Sequence, residues 1–181
     1  NEDSDIFAPI VKTAKSRAIW LGANLITAFI AVSVIDIFKD TIEKVVALAV
    51  LMPIVASMGG VAGSQTLTLV IRNMAQDELF NNNLAWLTRR EVAVGAINGC
   101  LWAFVVAVAT SIFFNDIRLG LIIAAALVIN LLTAALSGAL LPSFLRSIGV
   151  DPAIAGTVVL TTITDVVGFL SFLGLATLFY A

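Results

Sequence analysis

The stretch Thr157-Val-Val-Leu-Thr-Thr-Ile-Thr-Asp165-Val-Val-Gly168 carries a single carboxylate in the middle of a long apolar run. If the run crosses a membrane as a helix that starts at Pro152, Asp165 lies about 13 residues, or roughly 20 Å, inside it. A carboxylate at that depth costs about 2.5–3.5 kcal/mol on insertion scales, so it is expected to face water or the interior of a bundle. This one helix therefore predicts a polar space at membrane depth.

The composition places the chain in a lipid bilayer. Of its 181 residues, 60% are hydrophobic and 12% charged, whereas soluble domains have roughly 45–50% and 25%. The formal net charge of −2 leaves no basic surface for nucleic acid. There is no His, and the single cysteine, Cys100, lies in an apolar block and is expected to pack as a small hydrophobic residue. These features exclude a soluble protein and a nucleic-acid partner.

Five apolar blocks are each long enough to cross about 30 Å of hydrocarbon as a helix. We therefore predict an all-α membrane protein with five transmembrane helices per chain. The predicted spans are 18–38, 45–71, 88–114, 119–141 and 152–180. Because the first residue is Asn1 rather than Met, we expect 1–17 to be a cytoplasmic juxtamembrane segment that ends a missing N-terminal region. Residues 18–181 form the predicted pore domain.

Local signals set the expected ends of these spans. Pro53 and the glycines after it predict a kink or break in the second span, and Asn81-Asn82-Asn83 predicts a turn before the third. Thr88-Arg-Arg-Glu91 has the form of a capping box and predicts the start of the third helix. Pro142 is expected to end the fourth span, and Pro152 to open the fifth.

The basic residues predict the orientation of the five spans. Lys and Arg are more frequent in short cytoplasmic loops. Three of them fall on the side of the first and third connections: Lys39, Lys44 and Arg118. Seven fall on the side of the N-terminus: Lys12, Lys15, Arg17, Arg72, Arg89, Arg90 and Arg146. We therefore expect a multi-pass protein of the cell membrane with a cytoplasmic N-terminus and a C-terminus outside.

The polar residues of the fifth span predict a cation path. Thr157, Thr161, Thr164, Asp165 and Gly168 recur at helical spacing and are expected on one face. No Lys or Arg lies at the depth of Asp165, which is the only acidic residue expected well inside a span. Oxygen donors without His or Cys suit a hard cation such as magnesium, which often keeps several waters. The alternative is that the threonines bond their own helix and Asp165 bonds a neighbouring one.

A single carboxylate makes a poor site for a divalent ion. Two Asp165 side chains related by a dimer axis would match the charge, so we expect a homodimer with the pore between its subunits.

The glycine segment of the second span allows two interpretations. Gly59-x-x-x-Gly63 is a spacing that permits close packing of helices. Alternatively, Pro53 and the glycines break the helix, so that Gly60, Ser64 and backbone carbonyls line a cavity.

Two motifs resemble the MgtE-type magnesium channels. Met52-Pro-Ile-Val-Ala-Ser-Met-Gly-Gly-Val-Ala-Gly-Ser-Gln-Thr-Leu-Thr-Leu-Val-Ile-Arg72 is similar to that family's second span. The run from Asp151 through Asp165 to Gly168 is similar to its fifth span. The resemblance covers nearly the whole chain from Arg17. It implies a homodimeric five-span pore gated by cytoplasmic domains of the same chain that sense magnesium.

The resemblance also assigns roles to residues. Asp165 matches the pore carboxylate that binds a hydrated magnesium ion, and Thr161 matches a position that offers its backbone carbonyl to the ion's water shell. Thr157 matches a pore-lining position nearer the cytoplasm. The family usually has Asn where this chain has Val61 and Ser64. This departure bears on the preference for magnesium over calcium, manganese or cobalt.

The predicted function is passive conduction of divalent cations, most of all magnesium. A proton-coupled carrier that uses Asp165 as the exchanged site is the alternative. An intramembrane aspartyl protease needs two carboxylates at depth in one chain, whereas the sequence offers one, so we expect no enzyme. An inert membrane anchor does not account for an unpaired carboxylate at mid-depth.

Overall fold

The computed structural model describes residues 6–76 and 80–180, and all of its regular secondary structure in these ranges is helical. Its helices are α1 (Ile10–Ile37), α2 (Lys39–Lys44), α3 (Ala47–Gln76), α4 (Phe80–Phe113), α5 (Ile117–Ser147) and α6 (Pro152–Tyr180). Within the described residues, five of these are long and apolar enough to cross a membrane, and α2 is the short exception. The predicted all-α class and the five spans are confirmed.

Helix α1 begins earlier than the sequence predicted. It starts at Ile10, directly after Pro9, and runs without interruption to Ile37. The basic segment before residue 18 and the first span are therefore one continuous helix. The division of the chain into 1–17 and 18–181 stays a prediction.

Helix α3 is continuous from Ala47 to Gln76, so the predicted break is wrong. Pro53 lies inside the helix and removes the donor that would bond the carbonyl of Ala49. A helix in hydrocarbon tolerates such a loss because unwinding would leave several more backbone groups without partners. The glycines are retained in the helix for the same reason.

Helix α4 begins at Phe80, so the predicted turn at 81–83 and the predicted start at Thr88 are both wrong. Thr88 lies inside the helix and donates its hydroxyl to the carbonyl of Leu84 at 2.8 Å. The extra turns are stabilised by packing, because Leu87 joins Val70 and Ala139 in a buried cluster. Tertiary contacts override the local capping signal here.

Helix α5 continues through Pro142 to Ser147, so Pro142 does not end it. The chain turns away after Ser147 at Gly149, whose φ of 80° is readily adopted only by glycine. The Gly149 N–H donates to the Arg146 carbonyl at 3.2 Å, and the Val150 N–H to the Leu145 carbonyl at 3.0 Å. This bond pair is a Schellman motif. Helix α6 then begins at Pro152, as predicted.

Helix α5 is the central element of the fold and packs against α3, α4 and α6. Its apolar window is 56% buried, compared with 6% for α1, which contacts mainly α6. One core cluster joins α3, α5 and α6 through Leu48, Ile123 and Phe172. The positions of α3 and α6 are therefore set by their contacts with α5.

A buried amide links these three helices. Asn130 of α5 is fully buried, and its Nδ2 donates to the carbonyl of Val55 on α3 at 3.0 Å. A Cβ on Gly168 of α6 would lie 2.9 Å from the same Nδ2, and a Cβ on Gly59 of α3 would overlap it. The two glycines are required because the helices approach each other across this amide.

We expect Gly59→Ala to lower the free energy of unfolding by about 1–3 kcal/mol, because the added methyl group displaces Asn130. The midpoint of thermal unfolding in detergent measures the effect. Gly60→Ala is the matched control, since a Cβ on Gly60 meets nothing within 4 Å. Equal stability of the two variants would contradict the packing assignment.

The connection between α4 and α5 is tied to the end of α6. Asp116 caps α5 by accepting the backbone N–H groups of Arg118 at 3.0 Å and Leu119 at 3.4 Å. Its other oxygen accepts the hydroxyl of Tyr180. The Arg118 guanidinium lies 4.7 Å from the centre of the Tyr180 ring. The Tyr180 hydroxyl is the largest cause that lowers the pKa of Asp116 below its ordinary value of 3.8.

We expect Tyr180→Phe to lower the free energy of unfolding by about 0.5–1.5 kcal/mol at neutral pH, since it removes this hydrogen bond but keeps the aromatic ring under Arg118. Because the pKa of Asp116 is lowered in the folded state, its ionised carboxylate stabilises the fold fully above pH 3.8. This stabilisation is lost as the pH falls through the folded-state pKa. The stability difference between wild type and variant should therefore shrink below pH 3.8. A constant difference across this range would contradict the assignment.

Candidate functional site

Asp165 lies at the middle of α6, the fourteenth of its 29 residues counted from Pro152. Its side chain is half-buried. Within the described residues, no hydrogen bond or ion pair joins Asp165 to another side chain. A carboxylate at this position therefore has its oxygens available to water or to an ion.

The predicted polar face of α6 divides into two. Thr157, Thr161 and Asp165 follow one another at intervals of four residues; Thr157 is exposed and the other two are half-buried. The Thr161 hydroxyl donates to the carbonyls of Thr157 at 2.9 Å and Val158 at 3.1 Å. With its proton directed into the helix, that oxygen can act only as an acceptor toward the outside.

Thr164 and Gly168 lie about 60° around the helix from Thr161 and Asp165. Thr164 is completely buried, and its hydroxyl donates to the carbonyls of Leu160 at 3.1 Å and Thr161 at 3.2 Å. Gly168 faces Asn130. Both residues belong to the packing of α6 against α3 and α5 within one chain, and their predicted pore-lining role stays a prediction.

A cavity of about 870 Å³ lies between α3 and α4, with α5 beneath it, and reaches α6 at Thr161. Gly60 and Ser64, two of the predicted pore-lining residues, are part of its wall. Among the described residues, its wall carries one acid and one base, Glu91 and Arg72. Its uncharged polar side chains are those of Ser57, Ser64, Gln65, Thr66, Thr68, Asn98 and Thr161. These groups lie on a largely apolar wall and can bond water that enters the cavity.

The glycine segment combines helix packing and cavity lining on two adjacent faces of an unbroken helix. A Cβ on Gly63 would lie 2.8 Å from Leu160 of α6, and Gly59 packs against Asn130. This face confirms the helix-packing interpretation. Gly60 and Ser64 lie on the other face and line the cavity. The cavity is reached without the helix break that the sequence predicted.

Glu91 is a buried carboxylate that sequence reasoning missed. It is only 6% exposed, and it follows Arg89 and Arg90 directly, so the expectation that Asp165 is the only acid well away from an interface stays a prediction. Its Oε2 accepts from the Thr66 hydroxyl at 3.3 Å, and Arg90 Nη1 lies 3.4 Å from its Oε1. The signal was available: Glu91, Gly95 and Asn98 share a helical face once α4 is read from Phe80.

The donor sets do not form a compact metal cluster. Among the described residues, no three His, Cys, Asp or Glu side chains come together in a way that could hold an ion. Asp165 and Glu91 are each the only carboxylate in their surroundings there. An ion near either residue would keep most of its water shell, as magnesium does readily.

Comparison with known proteins shows the same relationship that the motifs indicated. The family model MgtE, described as divalent cation transporter, matches residues 52–175. The magnesium transporter MgtE of Bacillus subtilis (strain 168) is 34% identical over 166 residues, which are 92% of this chain and 37% of that protein. The magnesium transporter MgtE of Thermus thermophilus is 32% identical over 90% of this chain and 36% of that protein.

A third relative, the magnesium transporter MgtE of Enterococcus faecalis, is 26% identical over 93% of this chain and 37% of that protein. This chain therefore spans about a third of the length of the curated relatives that it matches. The matched region contains the glycine segment, Glu91 and Asp165 together. The resemblance predicted from the two motifs is confirmed, and the chain belongs to the MgtE family of divalent cation transporters.

Proposed function

We propose that this chain forms a magnesium channel, in which hydrated ions move down their electrochemical gradient past two Asp165 carboxylates of a homodimer. The observation that carries the proposal is the half-buried Asp165 at the middle of α6, which has no partner among the described side chains. Relatives that match about nine-tenths of the chain are magnesium transporters, which supports magnesium as the ion.

The homodimer follows from the charge and the open face of α6. One carboxylate balances half the charge of a divalent cation, and a second copy of the chain supplies the other half. Thr157, Thr161 and Asp165 form the side of α6 that the chain's own helices leave partly open. Two such faces opposite each other would line a passage with hydroxyl and carboxylate oxygens, which are the ligands that hydrated magnesium prefers.

The environment of Thr161 suits water rather than a bare ion. Its backbone carbonyl accepts a hydrogen bond from the Thr164 hydroxyl at 3.2 Å, in addition to the backbone hydrogen bond of the helix. When the Thr164 hydroxyl donates to the Leu160 carbonyl instead, at 3.1 Å, the Thr161 carbonyl can accept a water molecule of the ion's shell. We propose that Thr161 contributes in this manner, one turn from the carboxylate.

The bilayer would be the cell membrane, with the N-terminus in the cytoplasm. The cavity beside Arg72 and Glu91 then opens toward the cytoplasm, because Arg72, Arg89 and Arg90 belong to the basic side of the molecule. Calcium, manganese and cobalt are further candidate ions, since the donor set is made of oxygen alone. Gating by cytoplasmic domains of the same protein belongs to this proposal.

We expect Asp165→Asn to reduce magnesium uptake into reconstituted vesicles roughly tenfold or more, because each carboxylate charge in the path is lost. Uptake of calcium is followed in the same vesicles to measure selectivity. Asp36→Asn is the matched control: it makes the same chemical change at a side chain that is 72% exposed at the end of α1. Unchanged magnesium uptake by Asp165→Asn would overturn the proposal.

We further expect the current to reverse at the magnesium equilibrium potential whether or not a pH gradient is imposed, since a channel moves only the ion. The measurement is a current–voltage series in planar bilayers at several pH gradients with fixed magnesium concentrations. A reversal potential that shifts with the pH gradient would favour a proton-coupled carrier over a channel.

A further inference from the structure

Glu91 has more hydrogen-bonding capacity than its protein partners use. A carboxylate can accept about four hydrogen bonds, whereas the described residues provide two contacts. Both contacts are long, 3.3 Å from Thr66 and 3.4 Å from Arg90. The residue is nevertheless only 6% exposed, and it lines the cavity between α3 and α4. A buried charge with unused lone pairs that face a cavity is a position suited to a cation.

The cavity can hold an ion together with its water shell. At about 870 Å³ it has room for many water molecules, each of which takes about 30 Å³ in the liquid. Hydroxyl and amide groups from Ser64, Gln65, Thr68 and Asn98 also line it and can bond such water. Glu91 would therefore bind a hydrated divalent cation through water.

The cavity also connects Glu91 to the proposed path. Its wall reaches Thr161 on α6, one helical turn before Asp165. We propose that Glu91 forms a second binding site for a hydrated divalent cation, at which the ion is held before it passes to Asp165. This inference rests on the proposed function and adds to it a site on α4, outside the two helices that carry the family motifs.

The exposure of Arg90 distinguishes the proposed cation site from a structural ion pair between Arg90 and Glu91. Arg90 is 53% exposed on its side chain, so its head group can turn to water when an ion arrives. Arg90 is then a competitor of the cation for Glu91. If Glu91 served only to pair with Arg90 or to tie α4 to Thr66 of α3, removal of either partner would have the same effect as removal of the carboxylate.

The test measures magnesium flux into vesicles as a function of magnesium concentration for three substitutions. We expect Glu91→Gln, which keeps the size and hydrogen-bonding groups, to raise the half-saturating concentration roughly fivefold, because one charge near the ion is lost. Arg90→Gln should lower that concentration, because the competing cation is removed. Thr66→Val removes a hydrogen-bond donor to Glu91 but keeps the carboxylate charge, so it should change that concentration less than Glu91→Gln does.

Changes of the same sign in Glu91→Gln and Arg90→Gln would overturn the site and assign a structural pair. A defect in Thr66→Val equal to that of Glu91→Gln would overturn it in favour of a tie between α3 and α4. The thermal unfolding midpoint of each variant identifies loss of folding. Glu91→Asp keeps the charge in a shorter side chain, so a half-saturating concentration between those of wild type and Glu91→Gln is expected, and a value equal to that of Glu91→Gln contradicts the site.

The same assay on Asp165→Asn separates the two proposals. If Asp165→Asn abolishes flux while Glu91→Gln behaves as wild type, the path is correct and the second site is wrong. If Asp165→Asn conducts normally, the proposed function itself is wrong.

Discussion

Every polar group inside a bilayer has to find its partner within the protein or in a water-filled space, because hydrocarbon offers none. The backbone meets this constraint by remaining helical through Pro53 and Pro142. Hydroxyl groups meet it by donating to carbonyls of their own helix, as Thr161 and Ser171 do. Among the described residues, Asp165 has no side-chain partner, and Glu91 has two long contacts. Both carboxylates therefore depend on water for their remaining hydrogen bonds, and water beside Asp165 is what the proposed cation path requires.

Helix α5 creates the conditions for that space without carrying the charged residues itself. It lies in the middle of the bundle, and its Asn130 holds the backbone of α3 through the carbonyl of Val55. Gly59 and Gly168 let α3 and α6 approach this amide closely. Because the face of α3 that contains Gly59 packs against Asn130, Gly60 and Ser64 on the adjacent face line the cavity. The packing around Asn130 thus decides which faces of α3 and α6 are left open.

The sequence predicted the fold more reliably than the limits of its elements. Five apolar blocks predicted five long helices because the length of a block and the thickness of a bilayer are directly comparable. The capping box at Thr88 gave a wrong helix start because the packing of Leu87 outweighs this local signal. Pro142 gave a wrong helix end because ending the helix there would leave backbone groups unpaired. The connection before α4 was predicted to end too late, at Thr88 rather than before Phe80, so Glu91 was interpreted as a capping residue. The candidate site was thus predicted at Asp165 and missed at Glu91.

The amino-acid sequence by itself determined the number of long helices, the costly carboxylate at the centre of α6 and the family to which the chain belongs. These depend on composition, depth along one helix and motif, all of which are properties of a single segment. Only the tertiary structure decided that Thr164 turns inward while Thr161 stays half-open, and that Glu91 faces the cavity beside Thr66. The reason is physical: the direction in which a helical side chain points depends on the rotation of its helix about its axis, and that rotation is set by contacts between helices distant in sequence.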